Sequence, residues 1–146
     1  MKEYKRTCED ELDWVVVDQL HKATLQMSNN CFEFKKICVG LIGAVLAILV
    51  KLNDNQLTHS YFFIPLLICV GFWIADSSAY YFQRKTRFNM NKKLYAIACR
   101  NSIENYQYDE IKVSYFGAIF NSSMFLYYSL VFISFIGWGM YLWIYK

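Results

Sequence analysis

Asp76 is the side chain on which chemistry could turn. It is the single formal charge between Tyr61 and Phe82, in the run YFFIPLLICVGFWIADSSAYYF. An ionised carboxylate inside an apolar span is unfavourable by at least about 2.5 kcal/mol on insertion scales, so it is paired, protonated or wetted. Tyr80 follows one turn later on the same helical face, with Gln83 and Arg87 beyond it. If an earlier span runs the opposite way, Lys36 lies at comparable depth. Asp76, Tyr80, Gln83 and Lys36 are therefore the candidate intramembrane polar switch, an ion pair able to exchange partners or line a wet path. A static Asp76–Lys36 or Asp76–Tyr80 contact that only fixes packing is the alternative.

Conventional catalysis finds little to work with. His21 and His59 fall on opposite sides of the expected membrane, and the acids show no metal-ligand spacing. No G-x-S-x-G, H-E-x-x-H or P-loop occurs. The five cysteines, at 8, 31, 38, 69 and 99, are odd in number and lack C-x-x-C spacing, which implies neither a disulfide framework nor a zinc site. The expectation is a non-enzyme without cofactor or metal.

The elements that would hold Asp76 are apolar rods. The chain is 56% hydrophobic and 19% aromatic with one Pro, and its uncharged runs at 37–50, 61–75 and 113–145 are too many for a soluble domain of this size. These runs are continuous, without the alternation of a barrel strand. An all-α, polytopic membrane protein is expected, forming a single membrane domain over 1–146. Thr7, followed by Glu9, Asp10 and Glu11, reads as an N-cap with acids in the first turn. Val16, Leu20, Ala23, Met27, Asn30, Phe34 and Ile37 then trace a stripe along an amphipathic cytoplasmic helix over 8–34. Spans are expected at 35–52, 60–82 and 124–145, with a polar hairpin at 52–60 and a kink at Pro65. The segment 84–112 holds Arg84, Lys85, Arg87, Lys92, Lys93, Arg100 and Lys112 against Glu104, Asp109 and Glu110, which places it inside. The N-terminus is then cytoplasmic and the C-terminus outside, with a hairpin-like last segment returning Lys146 inside as the fallback.

Two further patterns concern contacts. Gly40, Gly43, Ala44 and Ala47 share one face of the first span, and Gly71, Ala75 and Ser78 recur on the second. Small residues at these spacings let another backbone approach, from the same chain or from another copy. On the third span Ser123, Tyr127, Ser134, Gly137, Tyr141 and Tyr145 form a stripe that could line a lumen or pack on neighbouring helices. The basic residues flanking the second span suit topology and anionic lipid, so direct nucleic-acid binding is not expected.

The run LHKATLQMSNNCFEFKKICVGLIGAVLAI, followed by LLICVGFWIADSSAYYFQRKTRF, resembles the SLATT-type and related small multi-span membrane effectors of bacterial anti-phage defence loci. Phe72, Trp73, Asp76, Tyr80, Tyr81, Gln83, Arg84 and Arg87 carry the likeness, which covers roughly residues 14–97. The third span departs from the two-span pattern. The resemblance implies a homo-oligomeric, pore-forming or membrane-disrupting effector of abortive infection. It also implies a cytoplasmic partner: a nucleotide second-messenger synthase, a nucleotide sensor or a reverse transcriptase. The alternatives are a non-enzymatic scaffold that recruits a cytoplasmic enzyme, or a phage holin-like protein or small transporter subunit.

Overall fold

The computed structural model describes residues 7–53, 56–103, 106 and 113–145, and all its regular structure there is helical. Helix α1 runs unbroken over Cys8–Leu52 and α2 over Ser60–Arg100. The short α3 covers Tyr115–Ile119, a 3-10 turn Ser122–Met124, and α4 Phe125–Ile144. At about 1.5 Å per residue, α1 and α2 are each over 60 Å long, twice the thickness of a hydrocarbon core.

Thr7 starts α1 as expected. Its hydroxyl accepts from the Asp10 amide at 3.2 Å and its own amide donates to Asp10 Oδ2 at 3.4 Å, a reciprocal capping box. Where the sequence suggests a division at residue 34, the helix continues, since nothing between Cys8 and Val39 is Gly or Pro. Likewise α2 passes through Pro65 in its second turn and carries the expected second span and the first part of the basic segment as one rod. Lys112 and the other undescribed positions of that segment, and Lys146, lie outside the described residues.

The two rods lie antiparallel and pack along their lengths. Asn53 Nδ2 donates to Thr58 at 3.2 Å near the hairpin tip, Lys35 meets Asp76 midway, and Asp10 meets Arg100 at the far end. On α1 the buried row is Asp10, Val17, Thr24, Cys31 and Cys38, a strict seven-residue step. On α2, Cys69, Asp76 and Ile97 obey the same step. Cys31 lies against Asp76 and Cys38 against Cys69. Continuing the step sets Thr24 opposite Gln83 and Val17 opposite Met90. A seven-residue repeat keeps the seam facing its partner along a left-handed supercoil. The expected stripe of Val16, Leu20, Ala23, Met27 and Phe34 flanks this seam half-buried, and Asn30 and Ile37 are exposed. The centre is one position later, in residues whose small side chains suit a close seam. Thr24 satisfies its hydroxyl by donating to Leu20 O at 2.8 Å.

The remaining elements pack mainly against the first half of α2, with Met124 and Tyr127 also reaching Lys35 and Cys38 of α1. Trp73 Nε1 donates to Ile119 O at 3.1 Å, and Tyr128 donates its hydroxyl to the same carbonyl at 2.6 Å. From there α4 runs antiparallel to α2 until Trp138 Nε1 reaches His59 Nδ1 at 3.3 Å. One half of the molecule is therefore a three-helix layer and the other a bare two-helix stalk.

Two helical segments are long and apolar enough to cross a membrane, one within α2 and one over Ser122–Ile144. Only 22% and 6% of their most apolar windows are buried, whereas the core helix of a soluble protein would be mostly buried. The apolar run of α1 stops at fourteen residues, between Lys36 and Lys51, and falls short of that length on its own.

Ion pairs close the stalk's free end. Asp10 accepts from Arg100 Nε at 2.9 Å and Asn101 Nδ2 at 3.1 Å, and Asp13 accepts from Lys93 at 2.8 Å and Arg100 at 2.5 Å. The Asn101 amide and then the Arg100 guanidinium hold the Asp10 carboxyl below its ordinary 3.8. Lys93 and then Arg100 do the same for Asp13. Because these folded values lie below the unfolded one, the stabilisation is present above about pH 3.8 and lost as pH falls through the depressed values. Cys8 and Cys99 are exposed near this end on opposite rods, whereas Cys31, Cys38 and Cys69 are buried. Spin labels on Cys8 and Cys99 should give a narrow distance distribution at neutral pH. It should broaden only below pH 3.8 in the native chain, and already at neutral pH in Arg100→Gln; an unchanged distribution in that variant would show that the pairs do not hold the end shut.

Candidate functional site

Where the stalk meets the three-helix half, the seam carries its only fully buried charge in the apolar stretch. Asp76 has no exposed side-chain surface, and its Oδ2 lies 2.5 Å from Lys35 Nζ. Lys35 also donates to Cys31 O at 3.3 Å, and its ammonium sits 5.8 Å from the centre of the Tyr127 ring. A carboxylate, a carbonyl dipole and an aromatic face thus surround one cation, a set suited to a charge drawn from water. Asp76 Oδ1, Ser77 Oγ and Tyr127 Oη are buried without hydrogen-bond partners among the described residues. The arrangement pairs the charges but leaves part of its polar capacity unused.

The partner of Asp76 is therefore Lys35, one residue before the lysine selected by depth. One residue is about 100° of helix, enough to turn Lys36 off the seam. Lys36 is exposed, 2.7 Å from Glu33 and over the Phe32 ring. Tyr80 makes no hydrogen bond to Asp76 either; its hydroxyl accepts from Asn121 Nδ2 at 2.9 Å. Tyr80 and Gln83 instead line two adjoining clefts just past Asp76. One of about 270 Å³ also involves Arg84, Arg87 and Asn121, and one of about 430 Å³ involves Cys31, Lys35, Arg87 and Ser123.

The other expected residues separate by role. Tyr127 is buried against the Cys38–Cys69 layer, with Cys69 Sγ 3.6 Å from its carbonyl. Ser134 and Tyr141 follow at seven-residue steps, both half-buried, and Tyr141 packs edge-on to His59 at 4.9 Å. A Cβ on Gly137 would lie 2.9 Å from the Phe62 ring. Within one chain Tyr127, Ser134, Gly137 and Tyr141 form α4's packing face towards α2, whereas Ser123 opens into the cleft past Asp76 and Tyr145, with the edge of Tyr141, into another beside His59. Gly40, Gly43 and Gly71 have nothing within 4 Å of where a Cβ would stand, and Ala44, Ala47 and Ala75 are exposed. Ser78 donates to Ile74 O and bonds the Tyr115 hydroxyl at 3.0 Å. Of the basic residues, Lys93 and Arg100 serve the stalk's end, Lys85 and Lys92 are exposed, and Arg84 and Arg87 face the clefts.

Sequence reasoning did not single out Lys35, Ser77, Asn121 or the Asp10–Asp13 cluster. The seven-residue step through 10, 17, 24, 31 and 38 was the available signal for Lys35, which follows Cys31 by one turn. It is hard to see in a row whose members are Asp, Val, Thr and Cys. Among the described residues no group of three or more His, Cys, Asp or Glu converges as a metal site.

Removing Lys35 alone leaves a buried carboxylate uncompensated, so Lys35→Met should destabilise the fold by about 3–5 kcal/mol, and Lys35→Met with Asp76→Leu by much less. Denaturation in detergent, followed by tryptophan fluorescence, reads both, since Trp73 and Trp138 lie in the contacts of α2 with the rest of the three-helix half. Equal losses in the single and double variants would mean that the pair is not what holds this region. No family model, no curated protein and no solved structure matches the chain.

Proposed function

We propose that the chain is a membrane effector that works as a homo-oligomer, opening a pore in or disrupting the bacterial inner membrane during an anti-phage, abortive-infection response. A cytoplasmic partner or a nucleotide signal would control it. The observation that carries this reading is that Gly40, Gly43, Ala44, Ala47, Gly71 and Ala75 present small-residue faces that no described helix of the same chain covers. Three thin helices enclose no channel, and faces of this kind let helices of further copies come close. The biological setting comes from the likeness of Phe72 to Arg87 to defence-locus effectors.

In this reading the three-helix half lies in the bilayer and the stalk projects into the cytoplasm. The short apolar run of α1 becomes a third span because the Asn53–Thr58 bond in the connection at one end and the Lys35–Asp76 contact with α2 at the other give it the same depth. Flanking lysines reach the headgroups by snorkelling. The bases after Phe82 put the stalk and N-terminus inside. Opening exchanges the Lys35–Asp76 contact for another partner, with Asp76 Oδ1, Ser77 and Tyr127 as the unused polar groups nearby.

A second reading, a scaffold that recruits a soluble enzyme, draws on the stalk. Leu12, Val15, Leu25 and Phe32 are exposed there, more apolar surface than two solvated rods need.

Induced expression with a membrane-potential dye separates the two. The effector depolarises cells, and Gly43→Ile abolishes both depolarisation and crosslinked higher species without altering helix content, since a Cβ at this exposed position meets nothing within 4 Å. Asp76→Asn should change the threshold or extent of depolarisation. Harmless expression that draws a soluble protein to the membrane would favour the scaffold instead.

A further inference from the structure

The clefts beyond Asp76 hold two arginines without an acid. Arg84 and Arg87 lie one turn apart on α2 and line the same cavity, and among the described residues neither has an ion-pair partner. Elsewhere, described bases on the seam are matched: Lys35 by Asp76, Lys93 by Asp13, Arg100 by Asp10 and Asp13. Because Asp76 is already neutralised by Lys35, the cleft keeps the charge of both guanidiniums.

Its neutral groups are also donors. The Tyr80 hydroxyl accepts from Asn121, which leaves its own proton free to donate, and the Gln83 amide has no hydrogen bond to another described side chain. Guanidinium forks with added neutral donors match the oxygens of a phosphate. The adjoining cleft has Phe32 on its wall, an exposed apolar ring next to the polar groups. A cavity with cations at one side and a ring at another fits an amphiphile better than a small ion. The cleft opens immediately past the apolar run that ends at Phe82, the depth at which a bilayer carries its headgroups.

We infer that the cleft formed by Tyr80, Gln83, Arg84 and Arg87, with Asn121 and Phe32 at its edges, binds the phosphate of an anionic phospholipid of the inner leaflet. The inference rests on the membrane placement proposed above, and it is independent of whether the chain forms a pore. A soluble phosphate compound offers the same oxygens, so the test must separate the two sources.

The full chain, purified in neutral detergent, is offered an equal mixture of phosphatidylglycerol and phosphatidylcholine with identical acyl chains, and retained lipids are counted by native mass spectrometry. Phosphatidylglycerol should be retained in preference, by roughly thirtyfold if both arginines act at about the strength of interfacial basic residues. Arg84→Gln with Arg87→Gln should bring the two lipids to parity. Lys85→Gln, which removes an exposed charge at the same depth outside the cleft, should leave the preference in place. Millimolar glycerol phosphate should not displace the retained lipid. Equal retention by the native chain, an equal loss with Lys85→Gln, or full displacement by glycerol phosphate each overturns the lipid assignment. Reconstitution into vesicles keeps the two proposals apart. A chain that stays in the aqueous fraction sinks the membrane placement and the lipid with it, whereas one that inserts but shows no preference sinks the lipid site alone.

Discussion

A carboxylate with no exposed surface and the lysine that answers it set the register of this fold. Lys35 and Asp76 are 41 residues apart in sequence, one on each of two rods more than 60 Å long. Two long helices with a seven-residue repeat could slide by one repeat and still bury a seam. Sliding here would strand two charges in an apolar layer, an outcome strongly disfavoured relative to the paired arrangement. A single buried polar contact that fixes register is the best-attested use of such pairs in supercoiled helices. The pairs of Asp10 and Asp13 with Lys93 and Arg100 repeat the constraint at the stalk's end, where water weakens it.

The α1–α2 seam on either side of Lys35–Asp76 is centred on small residues rather than on leucines. Thr24, Cys31, Cys38, Cys69 and Ser77 are buried, with Val17 and Ile97 as the larger aliphatic residues among them, and many large apolar side chains are exposed. Leu67, Phe132, Ile133 and Trp143 are among the most exposed residues of the molecule. This inverts the arrangement of a water-soluble coiled coil, in which large apolar residues fill the centre. It is the arrangement expected where the surroundings are as apolar as the interior and helices associate by close packing.

Much of the architecture was legible in the sequence because it rests on long-range composition. The apolar runs, the Thr7 cap, the polar hairpin after Lys51 and the last helix from Phe125 follow from local patterns that tertiary packing had no reason to override. The continuity of α1 and α2 was not legible as such, since a change from polar to apolar residues looks like a boundary even where the backbone does not break. The partner of Asp76 was legible to within one residue, whereas the separation of Tyr80 and Gln83 from the ion pair was not. Asp76 stands out by burial arguments alone, but Lys35 and Lys36 are equivalent in depth and differ only in angle. That angle depends on a seam of Thr and Cys that hydropathy does not reveal. The periodicity of the α4 stripe cannot say whether a face meets water or a neighbouring helix; the closeness of Gly137 to Phe62 sets that position against α2 within one chain.

Neither rod contains a flexible joint between the tip of the stalk and the buried pair. From Cys8 to Val39 and from Phe72 to Arg100 there is no glycine and no proline. Asp10 and Lys35 are therefore opposite ends of one stiff arm of roughly 38 Å. Prying the tips apart, or clamping them, would transmit leverage to the charge in the three-helix half instead of dissipating in a bend. The molecule has the mechanics of a pair of tongs, whose handles end at Asp10 and Arg100 and whose jaws close on Asp76.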